Sequence, residues 1–347
     1  MANLSKQKEA MVGYFRAGCK PEGQLTVGLE VEHFLTHTDG APAAFEEVQA
    51  AMLALQQSGD VPLVQDGETV GLRSSGYVLT LEPAAQLEIS ITPQKSVGAL
   101  MAVYEAFAAR LRRALAPLGL RAWNLGYHPT RRAAALPLIP KKRYEVMDRY
   151  LQKRGRHGTQ MMRGTASTQI SVDYFSEQDF VRKFRVACLI APLLALLTDN
   201  APVYEGERNR TASVRTMVWN DVDPDRCGIP PMLMDEDFGF AAYADHVLQK
   251  PLIVARHGPR TEGVGRKSAF EVYPSALQKD EIEQILSMFF FDVRLRPSFR
   301  ARPRRRASCA TTPGPRSAPS RPPSSVSAAT ATRRRSTAAR WPMRSPG

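Results

Sequence analysis

The sequence predicts an α+β fold, in which an antiparallel sheet is covered by helices on one face. Short runs that alternate between apolar and polar residues, typical of half-buried strands, are mixed with longer runs of helical periodicity and show no regular βαβ order. Neither a GxGxxG nor a GxxxxGK[ST] motif is present, so a Rossmann domain and a P-loop are both unsupported. With 347 residues and 43% hydrophobic content, the chain is long enough for one large domain or two ordinary ones.

The individual elements are predicted from periodicity and turn residues. Residues 25–35 alternate between apolar residues and glutamate and predict a strand, and residues 60–91 predict several short strands broken at glycine and proline. Residues 176–198 predict the clearest long helix, with Ser176 as its N-cap. Further helices are predicted at 5–18, 43–57, 96–117, 141–151, 235–249 and 276–288, and further strands at 122–128, 165–174 and 289–296, while 213–219 fits either a helix or a strand.

The net charge of +13 is concentrated at the C-terminal end. Residues 297–347 hold twelve arginines and no Asp, Glu or Lys, so subtracting twelve leaves +1 for residues 1–296. The tail is rich in Arg, Ala, Ser and Pro, and we expect it to be disordered because it has too little apolar surface to fold. A nucleic-acid-binding protein with a basic arm is one alternative, but the nearly neutral body disfavours it. We therefore expect no nucleic-acid partner.

No apolar run reaches the roughly 18 residues that a membrane-spanning helix needs, so no membrane partner is expected. The N-terminal residues show no signal-peptide pattern, and the cytoplasm is the predicted location. The cysteines, at positions 19, 188, 227 and 309, form no CxxC pair. Their spacing disfavours a structural zinc site, and the lack of an export signal predicts reduced thiols.

Three predicted strands each carry a row of oxygen-bearing side chains. Because side chains alternate between the faces of a strand, Glu30 and Glu32 share one face. The other two rows are Glu82, Gln86, Glu88 and Ser90, and Gln169, Ser171 and Asp173. Carboxylate and amide oxygens that have no paired His or Cys beside them are ligands that favour Mg²⁺ or Mn²⁺ as the bound ion. A solvated strand face is the alternative for each row taken alone.

A fourth segment, residues 213–226, supplies positive charge. Arg215 and Arg226 have the geometry to bind a carboxylate or a phosphate. Ion pairs with the neighbouring aspartates are the alternative for both arginines.

These segments resemble the glutamate–cysteine ligase family of the plant and proteobacterial type. The matching stretches occur in family order: 28–34 (G-x-E-x-E-x-F), 81–90 (L-E-P-G-G-Q-x-E-x-S), 161–173, 180–192, 200–206, 215–226 (R-x-x-x-W-x-D-x-D-x-x-R) and 237–243. The resemblance implies a glutamine-synthetase-like ligase fold with a curved sheet and helices on its outer face. It also implies that residues 1–296 form a catalytic domain that uses ATP and Mg²⁺, or Mn²⁺, to join the γ-carboxylate of L-glutamate to the amine of L-cysteine through a γ-glutamyl phosphate.

The resemblance also implies roles for individual residues. Glu30, Glu32, Glu82 and Glu88 resemble metal ligands, and Gln86 and Arg226 resemble cofactor-binding residues. Arg215 and Gln169 resemble catalytic residues that also contact substrate, and Trp219 resembles a further substrate-binding residue. The oligomeric state is not predicted.

The chain departs from the family pattern at several positions. Ala84 and Ala85 replace two glycines, Ser171 replaces a frequent Asn, and Ala166 stands where plant members have a redox-linked Cys. After Arg296 the family's E-x-R strand is missing, and our hypothesis is that residues from about Pro297 are an out-of-frame read, which resequencing the gene there would test. A related ligase with another amine acceptor and a truncated, inactive member remain the alternatives for function.

Overall fold

The computed structural model describes residues 2–258 and 260–296, all of which belong to one compact unit, Met1–Ala301. The predicted disordered tail, residues 297–347, and the out-of-frame hypothesis for it lie outside these described residues. In the described part of the chain, no helix combines the length and the apolar character needed to cross a membrane.

The described elements follow one another without a regular βαβ order, as predicted. The helices are α1 (Ala2–Ala17), α2 (Phe45–Leu53), α3 (Val97–Leu115), α4 (Lys142–Leu151), α5 (Glu177–Leu197), α6 (Val214–Trp219), α7 (Phe240–Gln249), α8 (Ala269–Val272) and α9 (Lys279–Leu286). The strands are β1 (Val27–His37), β2 (Val61–Gln65), β3 (Glu68–Arg73), β4 (Tyr77–Leu81), β5 (Leu87–Gln94), β6 (Leu120–Trp123), β7 (Thr168–Val172), β8 (Val203–Tyr204), β9 (Glu207–Arg208), β10 (Cys227–Gly228), β11 (Val254–His257), β12 (Arg260–Gly263) and β13 (Phe290–Phe291).

Seven of the described strands form one antiparallel sheet. Its order is β2-β3-β4-β5-β1-β6, and β7 also pairs with β1. β1 is long enough to hold β5 on one side and two strands on the other, with β7 along residues 27–31 and β6 along residues 34–37. The predicted α+β class with an antiparallel sheet is therefore confirmed.

One face of this sheet is apolar and is covered by α3. Val31 of β1 and Leu87 and Ile89 of β5 point to this face, and all three are buried in one hydrophobic cluster with Phe107 of α3. His33 shares the face, where its ring contacts the Leu87 carbonyl at 3.1 Å and the Tyr104 hydroxyl at 2.9 Å. Burial lowers the pKa of His33, so the neutral ring is favoured there.

A second part of the core is aromatic and lies between α1, α5 and α7. Phe15 of α1 contacts Phe240 and Tyr243 of α7, with ring centroids 5.9 and 5.8 Å apart. Phe180 of α5 stacks on Phe240 at 5.1 Å, and Phe184 packs against Tyr243 at 5.7 Å. The N-terminal half of α5 is thereby anchored in the core, with Ser176 as its N-cap as predicted.

The predicted strand at 289–296 is wrong over most of its length. Only Phe290 and Phe291 form a strand, which pairs in parallel with Cys227 and Gly228. Alternation alone predicts a strand wherever it occurs, but a strand needs a partner backbone along its whole length. Residues 292–296 instead form an irregular segment, and this places Arg294 near the sheet.

Two smaller predictions also need correction. The short strand predicted at 122–128 lies at Leu120–Trp123, and the helix predicted at 235–249 begins only at Phe240. Residues 213–219, which fitted either structure, form the helix α6.

Candidate functional site

The polar face of the sheet brings carboxylates from neighbouring strands together. Glu32 of β1 lies directly opposite Glu88 of β5, and Glu30 lies between Ser90 of β5 and Gln169 of β7. Directly opposed residues in antiparallel strands hold their Cβ atoms about 5 Å apart. The predicted polar side chains of β1 therefore lie next to the predicted polar side chains of β5 and β7.

Glu32 is held in place by the segment that leads into β7. Ser167 donates its backbone N–H at 2.8 Å and its hydroxyl at 2.6 Å to the two carboxylate oxygens, and Gln169 Nε2 donates at 3.3 Å. Burial, and then the negative charge of Glu82, raise the pKa of Glu32 to about 7, although Arg215 and the Ser167 hydrogen bonds oppose this. The carboxylate is therefore positioned by donors that do not neutralise its charge.

Glu88 is repelled by the other three glutamates. It accepts a hydrogen bond from Thr80 Oγ1 at 2.5 Å. Burial, and then the charges of Glu82, Glu30 and Glu32, raise the pKa of Glu88 well above its ordinary value. We call Glu30, Glu32, Glu82 and Glu88 the carboxylate cluster, and a bound cation would favour the ionised form of its members.

Glu82 lies in the turn between β4 and β5, which places it in this cluster. Glu82 and Gln86 are joined by a backbone hydrogen bond of 2.9 Å, and Ala85 adopts a left-handed conformation with φ of 61°. The hydroxyl of Tyr144 donates to Glu82 at 3.3 Å. Burial, and then the charge of Glu82, raise the pKa of Tyr144 well above its usual range, which keeps this hydroxyl a donor.

Cationic side chains also lie beside the carboxylate cluster, among them Lys141, Arg215 and Arg294. Lys141 is buried beside Tyr144, with its Nζ 2.7 Å from the Leu81 carbonyl. Burial lowers the pKa of Lys141, whereas Glu82 and Glu88 oppose the shift. Burial likewise lowers the pKa of Arg215 and Arg294, while Glu32 opposes the shift at both arginines.

Arg215 lies on the short helix α6 together with Trp219. The Arg215 guanidinium lies over the Trp219 ring, 5.0 Å from its centroid, and donates to the Ala166 carbonyl at 3.3 Å. The Trp219 ring packs edge-on against Phe290 at 5.8 Å, and its Nε1 is buried with no hydrogen-bond partner among the described residues. The structure therefore brings the predicted pair Arg215 and Trp219 together beside Glu32.

Sequence reasoning missed Arg294. Its guanidinium donates to Gln169 Oε1 and to the Phe289 carbonyl, and Glu30 and Glu32 are both close enough to oppose the lowering of its pKa. A regular strand over residues 289–296, which the alternation predicts, gives no reason for this side chain to return to β7. The nearby Asp292 was also missed; burial raises its pKa and the charge of Arg215 opposes this.

Gln86 and Arg226 are both buried and are held by contacts within the protein. Gln86 is 2% exposed and bonds only backbone groups among the described residues, at Ala84, Arg163 and Thr165. Arg226 is fully buried and pairs with Asp223 at 2.6 Å. These contacts support the local structure, and the cofactor-binding roles of Gln86 and Arg226 stay predictions.

Asp173 also departs from its predicted place. β7 ends at Val172, and Asp173 is turned inward, where it pairs with Lys20 and accepts a hydrogen bond from the Thr26 backbone at 2.8 Å. The side chain of Asp173 therefore does not lie in the polar row with Gln169 and Ser171.

The donor set of the carboxylate cluster suits a hard divalent cation, since it consists of four half-buried carboxylates, of which Glu32 and Glu88 have raised pKa values. Within residues 2–258 and 260–296, however, no group of three or more His, Cys, Asp or Glu side chains is arranged to hold a metal ion by itself. Magnesium commonly completes its six ligands with water and substrate phosphate. The residues present fit a cation that would be bound together with a phosphorylated substrate.

Comparison with known proteins gives a family match and several curated relatives. The family described as Glutamate-cysteine ligase family 2 matches residues 26–340. Glutamate–cysteine ligase A, chloroplastic, from Oryza sativa subsp. japonica is 31% identical over 247 residues, which are 71% of this chain and 50% of the relative. The chloroplastic glutamate–cysteine ligases of Arabidopsis thaliana and Medicago truncatula are 29% and 30% identical over 72% and 71% of this chain, and 48% and 49% of their own lengths. The chain thus spans about half the length of the curated relatives it matches.

Proposed function

The chain belongs to the Glutamate-cysteine ligase family 2, and from this premise we propose that it catalyses the ATP-dependent joining of L-glutamate to L-cysteine. The observation that carries the proposal is the carboxylate cluster at one sheet face with Arg215 and Arg294 beside it. An acidic cluster for metal ions next to arginines for anions is the arrangement that phosphoryl transfer to a carboxylate requires.

The proposed reaction has two steps that balance in atoms and charge. A γ-carboxylate oxygen of glutamate attacks the terminal phosphorus of ATP, the bond to ADP breaks, and γ-glutamyl phosphate forms. The cysteine amine then attacks the γ-carbonyl carbon, loses a proton, and expels inorganic phosphate.

Glu30, Glu32, Glu82 and Glu88 are the residues that would hold Mg²⁺ or Mn²⁺. When bound, the metal would neutralise charge on the phosphates of ATP. Ser167 and Gln169 hold the Glu32 carboxylate at a fixed position, so that this ligand would need little rearrangement. Thr80 does the same for Glu88.

The cationic residues have the complementary task of binding anionic parts of the substrates. Arg215 is oriented by the Trp219 ring and the Ala166 carbonyl, so its remaining N–H groups are directed for a carboxylate or a phosphate. Arg294 is oriented by Gln169, which contacts Glu32 with its amide nitrogen and Arg294 with its amide oxygen. Gln169 therefore links the carboxylate cluster to the anion-binding side.

The finer features of the sequence prediction belong to this proposal. A curved, glutamine-synthetase-like sheet is supported by the antiparallel order and by the single apolar face packed on α3. The relatives are named as chloroplastic proteins, whereas a cytoplasmic location remains our prediction for this chain.

The test is ADP release by the purified chain with Mg²⁺–ATP and glutamate, with and without cysteine. Cysteine-dependent release, with γ-glutamylcysteine identified by mass spectrometry, is the expected result. Equal release with another amine would point to the related ligase with a different acceptor. An absence of release would contradict the proposal for this chain and favour the inactive member.

A second experiment tests the carboxylate cluster without relying on turnover. Glu88→Gln removes one charge from the group, and we expect at least a tenfold weaker affinity for Mg²⁺ in the presence of ADP, measured by calorimetry. Glu105→Gln, on the exposed side of α3, is the matched control and should leave the affinity unchanged. Equal affinities for both variants would exclude Glu88 as a ligand.

A further inference from the structure

Lys141 is a buried lysine at a position where the local rules of structure disfavour one. It is the N-cap residue of α4, and only 7% of it is exposed. A cation at the N-terminal end of a helix is repelled by the helix dipole, and lysine is almost never buried without a compensating charge. Two such violations at one residue are typical of a functional position.

The cap of α4 comes from another segment of the chain. Asp66, in the turn between β2 and β3, accepts a hydrogen bond from the backbone N–H of Lys142 at 3.0 Å. The side chain of Lys141 does not cap the helix and extends inward, where its Nζ donates to the Leu81 carbonyl at 2.7 Å. The ammonium is therefore held at the end of β4, beside the residue that precedes Glu82.

Tyr144 links this ammonium to the carboxylate cluster. The Lys141 Nζ lies over the Tyr144 ring, 4.8 Å from its centroid, and the hydroxyl of the same ring donates to Glu82 at 3.3 Å. Glu82 and Glu88 both oppose the lowering of the Lys141 pKa by burial, whereas Glu82 alone of the cluster opposes it at the neighbouring Arg143. Lys141 is therefore the more closely coupled of these two cations to the cluster.

We infer that Lys141 is a built-in counter-ion of the carboxylate cluster, which compensates its negative charge while no divalent cation is bound and opposes the binding of such a cation. Because the ammonium and a divalent cation would act on the same glutamates, each weakens the stabilisation that the other provides. Asp66 opposes the lowering of the Lys141 pKa less than Glu82 and Glu88 do, so the cluster is the main source of compensating charge.

This role differs from that of the arginines of the site. Arg215 and Arg294 are partly exposed and are therefore accessible to an anion, whereas Lys141 is buried between a carbonyl and an aromatic ring. Since the ammonium binds the Leu81 carbonyl and not a carboxylate, a metal ion would not need to displace it. We therefore expect Lys141 to act on the glutamates through space and not on a substrate by contact.

The opposition to a cation rests on the proposed function, and it is tested by the Mg²⁺ affinity in the presence of ADP, measured by calorimetry on the full chain. Lys141→Met removes the charge and keeps a side chain of similar length, and we expect it to bind Mg²⁺ at least ~5-fold more tightly than wild type. Lys141→Arg keeps the charge and should stay within ~2-fold of wild type. Lys142→Met is the matched control, since Lys142 is exposed at the next position and should leave the affinity unchanged.

The compensation of charge is tested without any metal, by urea unfolding in EDTA. Lys141→Met should lower the midpoint of unfolding, because the glutamates lose their counter-ion. The change in midpoint caused by Glu88→Gln should be more favourable in Lys141→Met than in wild type, whereas Glu105→Gln, on the exposed side of α3, should cause the same change in both. If Lys141→Met alone does not fold in EDTA, the variant that also carries Glu88→Gln is expected to fold.

Several results would overturn the inference. An unchanged Mg²⁺ affinity of Lys141→Met would exclude the opposition to the cation, and a weaker affinity would assign Lys141 to anion binding beside Arg215. A folded Lys141→Arg that behaves like Lys141→Met would exclude the counter-ion role. So would a change by Glu88→Gln that is the same in both backgrounds, or a double variant that stays unfolded in EDTA.

Failure of the proposed function gives a different result. A wild-type chain that binds no Mg²⁺ would refute the proposed metal site and, with it, the opposition of Lys141 to that ion. The unfolding measurements in EDTA would still decide whether Lys141 compensates the charge of the carboxylate cluster.

Discussion

His128 should make the free energy of unfolding depend on pH. Its ring is 3% exposed, and its Nδ1 accepts hydrogen bonds from the backbone N–H groups of Thr130 at 3.3 Å and Arg131 at 3.1 Å. A nitrogen that accepts two hydrogen bonds carries no proton, so the ring is neutral with its proton on Nε2. Burial, and then the charge of Arg131, lower the pKa of His128 to about 4 from an ordinary 6.5.

The sign and the size of the effect follow from this difference. Between pH 6.5 and 4 the unfolded chain binds a proton that the folded chain refuses, so acid favours unfolding. The contribution is fully present above pH 6.5 and is lost as the pH falls to about 4, and at about 1.4 kcal/mol per pKa unit it amounts to on the order of 3 kcal/mol.

The measurement is urea unfolding from pH 7.5 to 4.5, followed by tryptophan fluorescence, for wild type and His128→Asn. Asparagine keeps an acceptor oxygen near the position of Nδ1 but does not titrate in this range. We expect the free energy of unfolding of the variant to be about 1–2 kcal/mol lower at pH 7, because the smaller side chain leaves a cavity. We also expect this free energy to depend less steeply on pH than it does in the wild type. Burial also lowers the pKa of His33 and His246, so part of the slope should remain. An identical slope in both proteins would refute the reasoning.

Three further predictions address stability. Ala85→Gly should raise the free energy of unfolding by about 1 kcal/mol, because Ala85 holds a φ of 61°, whereas Ala84→Gly should lower it; a loss in both would contradict the turn geometry. Gly164→Ala should lower it by about 1–3 kcal/mol, because a Cβ there would lie 2.5 Å from the Tyr127 ring, and unchanged urea unfolding would count against that close packing. Arg226→Met should lower the free energy of unfolding by about 3 kcal/mol or more, because Asp223 would stay buried without its closest partner. The KM for ATP should not change, and a raised KM would instead support the predicted cofactor role of Arg226.

The part of the site that could be predicted from sequence is the part that depends on local periodicity. Glu30 and Glu32 share a face because a strand has a period of two, and this needs no knowledge of its neighbours. The same rule placed Gln169 on its face, and α5 followed from its N-cap and its length. Predictions of this kind depend only on residues close together in the chain.

The remaining part depends on long-range contacts, which periodicity does not contain. Gln86 shares strand parity with Glu88, yet it turns into the protein to bond the backbone of residues 163 and 165. Arg226 matched a family motif, but its partners include Tyr150 and the carbonyl of Pro251. Arg294 reaches Gln169, 125 residues away. Which side chains face a ligand is decided by such contacts.

The position of Ser167 bears on how the chain assembles during synthesis. Glu32 depends on Ser167 for two hydrogen bonds, and the two residues are 135 positions apart. Strands β2 to β5 pair with their neighbours in sequence, and β5 also pairs with β1, so these contacts can form early. The other edge of β1 stays open until β6 and β7 have left the ribosome. Until then the edge of β1 is open and Glu32 lacks its donors, so a nascent chain passes through a stage with a sheet but no organised carboxylate. Slow translation between these strands would lengthen that stage and expose an unpaired edge to other chains.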